Sequence, residues 1–120
     1  MVDFAVQRTN MVDSQIRPSD VTDRRIPRAM LDVPRELFVP AEKRAIAYID
    51  DQIKVAETPA VARCLLAPRV LAKMLQSLEI SDSATVLDIG CASGYSTAVL
   101  AKLAKSVVAL ECDAGLVACA

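Results

Sequence analysis

Residues 85–103, TVLDIGCASGYSTAVLAKL, constrain the fold more than any other part of the chain. An apolar run halts at Asp88-Ile89-Gly90, turns through small residues to Gly94, and continues with helical spacing. A second apolar run, SVVALEC, follows at 106–112, and DAGLVACA reads as the start of a further helix. Strand, turn, helix and strand in that order form a crossover unit, which forces its two strands to lie parallel. The fold class is therefore α/β. Small residues in the turn let a ligand approach the backbone, and the helix that follows offers N–H groups with no partner inside the helix.

Three kinds of nucleotide site share this geometry. A phosphate loop requires G-x-x-x-x-G-K-[ST], but Gly94 is followed by Tyr95 and no lysine. A dinucleotide turn requires G-x-G-x-x-G, and here Tyr95 occupies the last glycine place. The S-adenosylmethionine turn sets an acid before a looser loop, since no diphosphate has to be seated. DIGCASG matches it, with Ala92 at the middle glycine. The candidate contacts are Asp88, Gly90, Cys91, Ala92, Ser93 and Gly94. A second acid is needed at the end of the next strand, because an ionised carboxylate can accept from both ribose hydroxyls at once. Glu111 stands there, 23 positions after Asp88, near the roughly 20-residue offset of a ribose acid in a β-α-β unit. Taken singly, LDIG could be an ordinary strand end and Glu111 a solvated acid; their joint spacing around one helix favours a ligand.

Composition removes several alternatives. The chain contains no histidine, so no Ser-His-Asp or Cys-His nucleophile can be assembled from it. The four cysteines, at 64, 91, 112 and 119, show no C-x-x-C spacing. They are expected to be reduced, in a cytoplasmic protein without a metal site. Fourteen basic against fifteen acidic side chains give a charge of −1, which favours neither nucleic acid nor an anionic membrane. Lys102 and Lys105 interrupt the most apolar region, so it does not read as a membrane span. MVDFAVQRTN has no secretory signal pattern. With 53% apolar residues but only 3% aromatic ones, the core must be aliphatic.

The first third reads as short helices separated by prolines. Phe4, Val6, Met11, Val12 and Ile16 fall loosely on one face, ending before Pro18. Ser19, Asp20 and Thr22 are candidate N-caps for the next helix, which either begins near Ile26 or bends at Pro27. PRELFVP forms a helical turn closed by Pro40, and residues 51–67 show no clear period and read as a connecting arm. Pro68 then opens a helix whose Val70, Leu71, Met74, Leu75 and Leu78 form an amphipathic face.

MVDSQIRPSDVTDRRIPRAMLDVPRELFVP is similar to a segment that reads M-V-x-x-Q-I, then A-M, then V-P-R-E-x-F-V-P, in the protein-L-isoaspartate O-methyltransferase family. VLDIGCASGYSTAVLAKL is similar to that family's cofactor loop and helix. From about Met11 to its end the chain thus resembles this family. The N-terminal motif is the more specific, since many methyltransferases share the loop. The resemblance implies a Rossmann-like S-adenosylmethionine-dependent methyltransferase fold. Residues 1–58 would be an N-terminal helical segment and 59–120 the start of the Rossmann-like domain, with its first β-α-β unit and an incomplete sheet. It also implies a cytoplasmic enzyme that methylates a carboxylate of damaged aspartyl residues in a protein or peptide. Such a nucleophile is already ionised at pH 7 and needs no histidine base; the protein's task is positioning.

One segment departs from the family. Members carry T-I-S-Q-P ahead of the helix before the first strand, where a hydroxyl is expected to engage the substrate carboxylate. Aligned without a gap from Val86, that segment falls on CLLAP, residues 64–68. Cys64 then falls at the family's Thr, Leu66 where it has the Ser hydroxyl and Ala67 where it has the Gln amide, while Pro68 matches. Thr58 or Cys64 could substitute only after a local shift, so no catalytic residue is assigned. The leading expectation is a methyltransferase with an intact ligand loop and a lost substrate motif. The alternative is a catalytically inactive or truncated relative acting as a cofactor-binding or interaction module; a third reading is methyl transfer to another substrate. Apolar faces at Val107, Val108 and Leu110 lacking cover would promote self-association.

Overall fold

The computed structural model describes residues 2–57 and 61–119. Helix α1 (Phe4–Met11) starts at Asp3, whose carboxylate accepts the N–H groups of Ala5 and Val6 at 3.0 and 3.2 Å. It runs straight into a π-helical turn (Val12–Ile16) and a 3-10 turn (Arg17–Ser19), ended by Asp20 in the left-handed region at φ 62. The wider π turn brings Met11, Val12 and Ile16 together inside the core. Val6 instead stays exposed.

Helix α2 (Arg25–Asp32) begins close to Ile26, so Pro27 sits in the first turn, where it breaks no helical hydrogen bond. Ser19, Asp20 and Thr22 do not cap it. Asp23 does the nearest equivalent, accepting the Arg25 N–H at 3.1 Å. The PRELFVP segment forms a 3-10 turn (Arg35–Phe38), followed by a second at Ala41–Ile46. A buried polar cluster ties these turns to α1. The Tyr48 hydroxyl donates to Glu36 and accepts from Arg8 Nε at 2.8 Å and the Arg35 N–H at 3.0 Å. Burial pushes that phenol up to about 12.

Residues 51–67 are not an arm. They contain an antiparallel hairpin of β1 (Ile53–Glu57) and β2 (Ala62–Leu65), one strand on each side of the 58/59 boundary expected from sequence. Its pairing shifts between Lys54 and Ala56, and such a bulge breaks the two-residue alternation by which a short strand is recognised. Thr58 lies outside the described residues.

Helix α3 (Pro68–Ser77) opens at Pro68 and buries Leu71, Ala72 and Leu75. Val70, Met74 and Leu78, expected on the same face, are exposed. The Gln76 amide fastens α3 to the turn before α2, accepting the Thr22 and Asp23 N–H groups at 2.7 and 3.0 Å. Strands β3 (Thr85–Ile89) and β4 (Ser106–Leu110) pair in parallel around α4 (Tyr95–Leu100), as the crossover pattern requires. Helix α4 is shorter than its apolar pattern, because tighter bonds such as Leu103 N–H to the Leu100 carbonyl (2.9 Å) close it. Asp113 caps α5 (Ala114–Cys119) by accepting from Gly115 and Leu116. One face of the parallel pair leaves Leu87, Ile89, Val108 and Leu110 exposed, whereas Val107 packs against the core.

Candidate functional site

The carboxyl end of β3 delivers Asp88 to the first turn of α4. There Asp88 Oδ2 accepts from Ser96 Oγ at 2.7 Å and Thr97 Oγ1 at 2.8 Å. The turn between them is built from left-handed residues: Gly90 at φ 73, Ala92 at φ 52 and Gly94 at φ 98. An L-residue in that region costs about 1–2 kcal/mol, which explains the preference for a glycine where Ala92 stands. The Gly90 N–H donates to the Leu110 carbonyl at 2.7 Å, stitching the turn to the end of β4.

Ser93 and Tyr95 face the N-terminal segment. Ser93 Oγ donates to the Phe38 carbonyl at 2.6 Å, and the Tyr95 ring meets the Phe38 ring edge-on with centroids 5.7 Å apart. The buried Arg35 guanidinium lies 4.7 Å over the Tyr95 ring. It also donates to the carbonyls of Ala47 (2.7 Å) and Leu66 (3.0 Å). Burial lowers the pKa of this cation, which the Tyr95 side chain partly offsets. The conspicuous N-terminal motif thus supplies two residues that brace the turn, Arg35 and Phe38.

Glu111 sits just beyond β4 with its side chain only 2% exposed. Its Oε1 accepts the Ala92 N–H at 2.8 Å and Arg63 Nη2; its Oε2 accepts the Asp113 N–H at 3.0 Å and Arg63 Nη1 at 2.7 Å. The Arg63 pair foremost, then the backbone N–H groups, hold this carboxyl down at about 2. Arg63 has no counterpart in the sequence reading. It belongs to β2 of the hairpin, and a single basic residue beside a short strand gives no periodic signal. Ser96 and Thr97 were missed as well, although hydroxyls in the first turn of a helix that follows an acid are a signal that could have found them.

A cleft of about 300 Å³ opens between α3 and β3. It brings Asp88, Gly90, Cys91 and Ala92 together with Cys64 and Leu66. Ser93, Gly94 and Glu111 do not line it. Among the described residues no helix is long and apolar enough to cross a membrane.

Parallel strands joined through a left-handed turn and a helix, with an acid at the end of each strand, make this a Rossmann-like α/β unit of the methyltransferase type. Two solved structures share its fold across nearly the whole chain. One is a protein-L-isoaspartate O-methyltransferase at 21% identity and TM-score 0.75, with 96% of this chain and 36% of that one covered. The other, from Plasmodium falciparum, is described as a protein-L-isoaspartate O-methyltransferase in complex with S-adenosyl-L-homocysteine. It has 26% identity and a TM-score of 0.74, covering 93% and 52%. The chain belongs to the protein-L-isoaspartate(D-aspartate) O-methyltransferase (PCMT) family, whose model matches residues 6–120. The protein-L-isoaspartate O-methyltransferase of Roseiflexus castenholzii is 35% identical over 119 residues, 99% of this chain and 52% of the relative. That of Herpetosiphon aurantiacus is 40% identical over 105 residues, 88% and 45%. The chain spans about half the length of these curated relatives.

Proposed function

We propose that the chain is the S-adenosylmethionine-binding part of a cytoplasmic methyltransferase that acts on a carboxylate of proteins or peptides. The observation that carries this reading is the left-handed turn at 90–94 set between Asp88 and Glu111. An ideal Cβ added at Gly90 would meet no backbone atom, only the Arg63 side chain in ordinary contact at 3.7 Å, so a movable side chain and not the main chain covers that face of the turn. Gly90, Cys91, Ala92, Ser93 and Gly94 would supply the backbone cradle. Asp88, braced by Ser96 and Thr97, would put negative charge beside the ligand's ammonium group. Glu111 would accept from the ribose hydroxyls. When bound, this cofactor supplies a methyl group already activated on a sulfonium. The remaining work is orientation, and no residue of the chain has to remove a proton from an ionised carboxylate. The names of the relatives support a damaged aspartyl residue as the acceptor class.

Leu66 favours a second reading, a relative that binds the cofactor without repairing isoaspartate. Its side chain offers no hydrogen bond to a substrate carboxylate, and its carbonyl is already held by Arg35. Equilibrium dialysis of labelled S-adenosylmethionine tests the shared core of both readings. Saturable binding at one site per chain is expected; failure to bind would remove both.

A further inference from the structure

Both oxygens of Glu111 are fully used. An ionised carboxylate has about four acceptor positions, and two N–H groups from the chain together with the two arms of the Arg63 guanidinium fill them. The same guanidinium lies against the open face of Gly90, where its Nη2 would be 3.7 Å from a Cβ. Arg63 therefore occupies both surfaces that the turn offers to a nucleoside, the acid and the glycine face. The Ala92 and Asp113 N–H groups belong to the backbone of the turn and of the α5 cap and cannot leave without unfolding them. The Arg63 side chain can, being 21% exposed and attached to the strand only through its own carbons.

We propose that Arg63 is a built-in competitor for the ribose subsite, an internal cation that must swing off Glu111 before a ribose diol can be accepted there. The proposal rests on the reading of Glu111 as the ribose acid. Apparent affinity for the nucleoside is then reduced by the fraction of molecules with Arg63 docked. A ligand that displaces Arg63 must also be weakened by whatever strengthens the pair, because coupling of this kind is reciprocal.

Calorimetric titration with S-adenosylhomocysteine separates the two ideas. Arg63→Gln should bind about ten-fold tighter than the unaltered protein, the scale set by one charge-assisted interaction. Arg63→Lys, which keeps the charge but loses the fork, should fall between them and serves if the glutamine variant does not fold. Glu111→Gln in the Arg63→Gln background should weaken binding by about ten-fold. The same change in the unaltered protein should cost less, because it removes competitor and acceptor together. Unchanged or weaker binding in the Arg63 variants overturns the competitor and leaves Glu111 in place. If Glu111→Gln has no effect in the Arg63→Gln background, the ribose role falls and the competitor with it. No binding by any variant overturns both.

Discussion

The backbone N–H of Ala92 donates to Glu111 Oε1 at 2.8 Å, and Ala92 does so from the left-handed region at φ 52. The chain thus holds an L-residue in a costly conformation at the point where the 90–94 turn meets the second acid. Relieving that cost should stabilise the fold. A left-handed alanine costs about 1–2 kcal/mol, of which glycine's extra freedom in the unfolded chain cancels about 0.5–1 kcal/mol. Ala92→Gly should raise the melting temperature by about 2–5 °C. Gly94→Ala, at φ 98, should lower it. A lower melting temperature for Ala92→Gly would mean that the alanine methyl contributes packing that outweighs its backbone cost.

Acid should weaken the tie between β2 and the end of β4. The Glu111 carboxyl is lowered from 4.5 to about 2 by Arg63 and two backbone N–H groups. A depressed carboxyl contributes stability that is complete above its unfolded value and disappears as pH falls through its folded one. The gap in melting temperature between the protein and Glu111→Gln should therefore be constant above about pH 5, shrink below 4.5 and close near pH 2. A gap that does not change with pH would show that the ion pair is not what Glu111 contributes.

Isoaspartyl peptides should be methylated poorly. Removing one hydrogen-bond donor that stabilises a reacting oxygen can cost on the order of 10²–10³ in rate, and Cys64, Leu66 and Ala67 stand where the family segment has its three polar side chains. Transfer of labelled methyl groups to an isoaspartyl peptide should be slow and should rise in the Leu66→Ser, Ala67→Gln double variant. Rapid turnover by the unaltered protein would show that other residues hold the acceptor.

Leu87, Ile89, Val108 and Leu110 form a contiguous exposed apolar face, each more than half accessible. Such a face promotes association in water. Sedimentation velocity should show concentration-dependent oligomers that Val108→Lys reduces. A clean monomer at every concentration would contradict this.

The crossover unit was legible because its two strands and its helix each carry a clear apolar pattern, with glycines marking the turn between the first strand and the helix. The hairpin was not, because a bulge in a five-residue strand removes the alternation that would reveal it. That omission concealed Arg63, and with it the fact that Glu111 is engaged within the chain. The bracing of the turn was half legible: VPRELFVP marked a motif, but only packing shows Arg35 against Tyr95 and Phe38 bonded to Ser93. Ala92 was recognised as a departure from glycine, and its left-handed φ shows why glycine is preferred there.

A nucleoside seated in the turn between Asp88 and Glu111 would change the surroundings of the backbone amides that line it. The most direct test is a nuclear magnetic resonance titration of the backbone amides with S-adenosylhomocysteine. The largest shifts should fall on Gly90, Ala92 and Gly94, on Asp113 beside Glu111, and on the Arg63 side chain as it leaves the carboxylate. Shifts that bypass this turn, or none at saturating ligand, would contradict it.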